Sequence, residues 1–250
     1  MKFIKFASVV AAIAVLAGGW TVEVAAQEEG QREVMLSPAR MQQSGRAQTG
    51  VYNPAIPATG MIRTADFAVR SVTIEGDTRE KELRDSEIRE MVANTIKTAK
   101  ARGIELSFGS MTIERLDLDN FDVFADSNVF GGSRPDTSRI SFLVKIPLDA
   151  NSTLAKVTEQ MDNFQKAVKP VGRSQFVGTS AISLSIVKPD QYRSGIIDLI
   201  SADAQKVSGQ IGPNYAAALK GLHQPVDWVR WGDLQIMLFV PYEMEIVPAG

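Results

Sequence analysis

The sequence predicts an α+β fold, a mixed β-sheet with amphipathic helices packed on one face, and three observations lead there. Apolar residues alternate at period two in several short runs, as half-buried strands require. Between those runs, three longer segments place apolar residues three and four apart, the stripe of a helix that buries one side. The two patterns follow one another as strand, helix, strand, strand, helix, strand, helix, strand, strand, and helices in that order can bury their stripes on one sheet face.

Two segments precede the first strand. Lys2 and Lys5 form a basic start, Phe6 to Leu16 is an almost unbroken apolar run, Gly18 and Gly19 break it, and Val24-Ala25-Ala26 supplies small residues for a signal peptidase. Residues 1–26 are therefore expected to be a cleaved signal, with a mature N-terminus near Gln27. A stop-transfer anchor is the competing reading, but about 20 apolar residues are needed to cross a bilayer and this run is shorter. No transmembrane segment is expected in the mature chain. Residues 27–62, rich in Gln, Gly, Ala, Pro and Ser without an apolar period, are expected to be a disordered polar leader. Residues 63–250 are then enough for one domain with a single core.

The first alternation is Phe67 and Val69, then Val72 and Ile74, a strand whose slip in phase suggests a bulge. Asp77 with Glu80 has capping-box spacing and predicts a helix to Arg102 closed by Gly103, its buried face Ile88, Met91, Val92, Ile96 and Ala99. Glu105 to Leu118 and the run Ile140, Phe142, Val144, Ile146 read as adjacent strands joined by an excursion. Asn151 or Ser152 caps a helix with Leu154, Val157, Met161, Phe164 and Val168 inward, stopped by Pro170 and Gly172. A long strand is expected over Phe176 to Val187. Pro189-Asp190 opens a third helix through Ile196 and Ile200 to Ile211, ended by Gly212-Pro213. Two last strands are expected at Ala216 to Leu222 and Leu234 to Val247.

Composition removes several function classes. Lys+Arg number 27 and Asp+Glu 29, and loss of Lys2, Lys5 and Glu23 with the signal leaves 25 against 28, a net charge of −3. That is no electrostatic footprint for nucleic acid. There is no cysteine, which excludes disulfides, thiolate catalysis and zinc ribbons together. No P-loop, dinucleotide fingerprint or Gly-x-Ser-x-Gly elbow occurs.

The remaining chemical candidates each meet a plain alternative. His223, the only histidine, lies before Pro225 with Asp227 nearby, and a general base needs partners that hold it, so a turn histidine is the plainer reading. Asp117, Asp119, Asp122 and Asp126 cluster, but a calcium loop beginning at Asp117 needs Gly and Glu where Asp122 and Asn128 stand. A solvated strand edge and loop accounts for them, and weak calcium is the ion to consider if one binds. The mixed charges of Arg79 to Arg89 have the spacing of an exposed helix face. No catalytic, cofactor-binding or metal residue is assigned, and no cofactor is expected. Trp228, Arg230 and Trp231 are the candidate contact residues: one tryptophan can cover the core while the other meets a partner.

An export signal, no cysteine, a pair of strand-helix-strand units, a long third helix and a final strand reading Phe239-Val240-Pro241-Tyr242-Glu243-Met244-Glu245-Ile246 together resemble the SIMPL-domain proteins of bacterial envelopes. The resemblance spans Phe67 to Val247. It implies a periplasmic or outer-membrane-associated domain, in some members tied to oxidative-stress tolerance or ring-shaped oligomers, and it carries over no catalytic residue. The leading expectation is a non-enzymatic envelope protein that self-associates or binds another envelope component through strand edges. A small-molecule or glycan-binding module around Trp228, and a carboxylate-based enzyme, are the alternatives.

Overall fold

A computed structural model describes residues 33–35, 56–109, 113–132, 134–178 and 180–249. In chain order the elements are β1 (Glu33–Met35), β2 (Met61–Thr64), β3 (Phe67–Gly76), α1 (Lys81–Ala101), β4 (Glu105–Phe108), β5 (Glu114–Arg115), α2 (Phe121–Asn128), β6 (Phe130–Gly131), β7 (Ser138–Pro147), α3 (Leu154–Ala167), β8 (Gln175–Val177) and β9 (Ser183–Val187). A 3₁₀ turn (Pro189–Tyr192) leads into α4 (Arg193–Ile211), followed by β10 (Tyr215–Lys220), β11 (Asp227–Arg230), β12 (Gln235–Phe239) and β13 (Glu243–Pro248).

The fold is α+β, as expected, and its large sheet interlocks two strand-helix-strand units. β3 and β4 run the same way with β7 inserted between them, while β7 and β9 flank β3 in turn. The order β9-β3-β7-β4, with α1 and α3 as crossovers, is the split βαβ or ferredoxin-like arrangement. A mixed sheet was the expectation, yet every ladder among the described residues is antiparallel. Each crossover skips one strand, so the parallel partners never become neighbours.

One face of this sheet carries the core. Ala68, Val72 and Ile74 of β3 and Ile140, Phe142, Val144 and Ile146 of β7 pack under the stripes of α1 and α3, with Val157, Met161, Phe164 and Val168 buried as the spacing predicts. Gly103 (φ +65°) closes α1: its N–H donates to Lys100 C=O (3.4 Å), and the Ile104 N–H to Ala99 C=O (3.0 Å), the paired bonds of a Schellman end. At the other end the capping box is absent. Glu80 is the N-cap without a side-chain cap bond, while Asp77 binds Arg173 and Arg134. The charged segment is not wholly exposed either, because Arg84 occupies the first turn of the buried stripe. Its Nε donates to Ser138 Oγ (2.8 Å) and an Nη to Thr78 C=O (2.7 Å), while Leu83 is turned outward.

Four further departures have local causes. β3 has no bulge; it pairs residue for residue with β7 from Phe67↔Pro147 to Gly76↔Ser138, and Val69 is buried on the face opposite Val72 and Ile74. The irregularity lies across from it. The long strand expected at 176–187 is split: β8 leaves β3 at Val177, opposite Thr73, the chain bends at Gly178 (φ +66°), and β9 rejoins at Ser183, opposite Val69. Ser180 Oγ fills the gap in the ladder, accepting from Ser71 N–H (2.9 Å) and donating to Ser71 C=O (3.1 Å). Thr153, rather than Asn151 or Ser152, caps α3, its Oγ1 accepting from the Lys156 N–H (3.3 Å), while the Ser152 hydroxyl and the Asn151 N–H donate to Asp149 in the preceding turn. The aspartate excursion contains α2, whose Phe124 packs against Phe108 (4.8 Å between centroids) and edge-on to Phe142 (6.5 Å). Within the stretch expected as a polar leader, β1 pairs with β9 and β2 begins at Met61. Residues 1–26, where the signal is read, lie outside the described residues.

The C-terminal part adds a second layer. Four strands, β10 to β13, stand where two were expected: β11 and β12 join β2 in a sheet of order β11-β12-β2, and β10 with β13 forms a ribbon. Pro241, which lacks an N–H for a ladder, ends β12 and sends the chain into the ribbon. Trp228, Ile236 and Leu238 of the small sheet share one core with Ile196 and Ile200 of α4 and with Leu184 and Ile186 of β9. No helix among the described residues is long and apolar enough to cross a membrane.

Candidate contact face of the small sheet

The small sheet is a grid whose rows follow from its ladders. Val229 pairs with Met237 and Met237 with Ile62; Asp227 pairs with Phe239; Gln235 pairs with Thr64 and accepts at its carbonyl from the Trp231 N–H (2.9 Å). Successive side chains of a strand point to opposite faces. Trp228, Arg230, Ile236, Leu238 and Met61 therefore share the inner face, while Val229, Trp231, Met237, Phe239 and Ile62 share the outer one.

The three candidate contact residues separate on this grid. Trp228 is 1% exposed and cannot touch a partner of the folded domain; its indole Nε1 is buried with no hydrogen-bond partner among the described residues. Arg230 is a brace. Its Nε donates to Gly232 C=O (3.0 Å), and its two Nη groups to Ile182 C=O (3.1 Å) and Asp233 C=O (2.6 Å). It thereby fixes the turn between β11 and β12 and ties it to the approach to β9. Trp231, just past β11, is 46% exposed and alone of the three is available for contact. The segment is a strand, too short at four residues to show a period of its own.

On the outer face Trp231 stands in a row with Gln235 and Thr64, and the next row, Val229, Met237 and Ile62, is apolar where the free side of an antiparallel sheet is ordinarily polar. Ile62 is 47% exposed, in the same row as Val229 and Met237. Met237 is buried because the chain at Gly60 lies over it: an added Cβ there would stand 2.9 Å from Met237 Cγ and 2.8 Å from the Leu238 carbonyl oxygen. Sequence reasoning missed Ile62. Its alternation in Met61–Thr64 is legible, but the side it faces depends on pairing with β12, some 170 residues away.

The other candidates stay apart from this face or from chemistry. His223 is exposed in the turn after β10 and makes no hydrogen bond or ion pair among the described residues. Asp227 accepts from the Trp228 N–H at Oδ1 (2.8 Å). Asp117 initiates the turn into α2, its Oδ1 accepting from the N–H groups of Asp119 (3.0 Å) and Asn120 (3.3 Å), while Asp126 pairs with Arg89 of α1. Among the described residues no three His, Asp or Glu side chains are grouped so as to hold a metal ion.

The clearest electrostatic feature lies at the end of the large sheet. Asp77 accepts from Arg173 Nε (2.6 Å) and Nη (2.9 Å) and from Arg134 Nη (3.3 Å), joining the end of β3 to the turns before β7 and β8. The Arg173 hydrogen bond, chiefly, holds the Asp77 carboxyl below its ordinary value against the opposing effect of desolvation, and the charges of Arg173 and Arg134 add to it. The chain matches no protein-family model, no curated protein and no solved structure.

Proposed function

We propose that this is a non-enzymatic, exported envelope protein of the SIMPL-like type, and that it works by association, with itself or with another envelope component, through the outer face of its small sheet. The observation that carries this reading is two half-exposed apolar side chains, Trp231 at the end of β11 and Ile62 on β2, on the outer face of an antiparallel sheet. Tryptophan is enriched among the residues that dominate interface energies, and a rigid ring orders at little entropic cost. β2 and β11 are also the two outer strands of that sheet, so the apolar face is bordered by strand edges able to pair with an added strand. The signal-like residues 1–26 support a partner outside the cytoplasm.

Trp231→Ala should weaken the association by more than about 1 kcal/mol, roughly fivefold, with the melting transition preserved. His223→Ala should leave the cellular phenotype intact. Loss of the phenotype in a folded His223→Ala protein would overturn the non-enzymatic reading.

A further inference from the structure

We propose that Asn151 is an N-glycosylation site, its side-chain amide the acceptor for an oligosaccharide carried on a lipid pyrophosphate. Among the asparagines of the chain, Asn151 alone stands two residues before a serine or threonine without a proline between, in Asn151-Ser152-Thr153. That spacing is the acceptor signal of exported chains, because the transferase holds the hydroxyl of the third residue while it presents the amide of the first to the sugar. Asp149, two residues ahead of the acceptor, adds the carboxylate that bacterial transferases of this class read.

The structure sets this signal where an enzyme can reach it. The Ser152 N–H donates to Asp149 C=O (3.3 Å), so the connection from β7 to α3 is a tight turn with Ala150 and Asn151 at its tip. The Ser152 hydroxyl closes the base of the turn, donating to Asp149 Oδ1 (2.8 Å) and accepting from the Asp149 N–H (3.0 Å). Asp149, Ala150, Asn151 and Thr153 are all exposed. The Asn151 backbone is engaged, its N–H with Asp149 Oδ1 (2.9 Å) and its C=O with Lys156 Nζ (3.5 Å), but its side-chain amide makes no hydrogen bond among the described residues. Asn120 and Asn128 differ: their amides donate to Arg115 C=O (2.7 Å) and Phe124 C=O (2.9 Å). Thr153 Oγ1 accepts from the Lys156 N–H at 3.3 Å, a long bond, and the Val157 N–H to Thr153 C=O bond (3.0 Å) still anchors α3 when that hydroxyl turns outward.

The transfer balances without a further reactant. The Asn151 amide nitrogen bonds the anomeric carbon of the sugar, the bond from that carbon to the pyrophosphate oxygen breaks, the lipid pyrophosphate leaves with the electron pair, and the amide gives up one proton. The sugar replaces an N–H hydrogen that no described residue accepts, so the folded domain carries it without losing a contact.

This inference rests on the export reading, and one digest separates the two. The full chain is isolated from its own cells and cut after lysine and arginine, and peptide 146–156, which holds no other asparagine, is fragmented in a mass spectrometer. A glycan on Asn151 is expected, lost in Asn151→Gln and Thr153→Ala and restored in Thr153→Ser. Asn151 is exposed, so Asn151→Gln reports even where loss of the α3 cap in Thr153→Ala impairs folding. A bare peptide 146–156, a sugar on Ser152 or Thr153 in place of Asn151, or an unchanged glycopeptide from Thr153→Ala would overturn it. A bare peptide from protein that begins near Gln27 overturns this inference and leaves export standing; a bare peptide from protein that retains Met1 removes both.

Discussion

Trp228 and Trp231 stand three residues apart, an odd number, so a strand turns them to opposite faces and gives them different work. Trp228→Ala removes a fully buried ring and should cost about 3–5 kcal/mol, whereas Trp231→Ala should change stability by less than about 1 kcal/mol in the same denaturant melts. Equal losses would mean that both rings belong to the core. Phe164→Ala should also cost about 3–5 kcal/mol, since its side chain is fully buried beneath α3. The burial of Phe164 was legible from spacing alone, because Val157, Met161, Phe164 and Val168 lie on one helix and need no distant partner to define their face. The grouping of Trp228, Arg230 and Trp231 as one contact was not, because which of them points inward is decided by the ladder with β12. Arg84 taught the same lesson from the other side: its charge suggested solvent, and its place in the α1 stripe put it inside with Ser138 and Thr78 as partners.

At the scale of elements, the alternating runs and helical stripes marked where most of the long elements lie, and the ends of elements were read less well. Gly103 closed α1 as its sequence position suggested, since a left-handed residue there favours glycine. Asp77 looked like half of a capping box but joins three loops through Arg173 and Arg134, residues far away in sequence. Its carboxyl titrates below the unfolded value because Arg173 hydrogen-bonds the ionised form. The contribution of this carboxylate is therefore complete above the unfolded pKa and disappears as pH falls through the folded one. Asp77→Asn should flatten the dependence of the denaturant midpoint on pH over about pH 5 to 2, relative to the unaltered protein. Parallel profiles over that range would show that the three-way contact is not formed in solution. The irregularity in the β3 pattern was likewise real but misplaced: it lies between the ladder ends Val177 and Ser183, and Ser180 restores the missing ladder bonds.

At the scale of the whole molecule, helix and strand order predicted α+β correctly, while the interleaving of β7 between β3 and β4 was invisible, because spatial order is not written in element order. The same limit hid the small sheet, which joins residues near 62 to residues near 230 and so creates the apolar outer face from segments that are ordinary when read separately. The central claim is that this face is where the protein meets its partner. Site-specific photo-cross-linking in intact cells tests it most directly, with the photoreactive residue placed at Ile62 or Trp231, and at exposed Lys97 on α1 as the control. The account predicts one discrete adduct from positions 62 and 231, to a second copy or to a single envelope protein, and none from position 97. No adduct at 62 and 231, or the same adducts at 97, would contradict it.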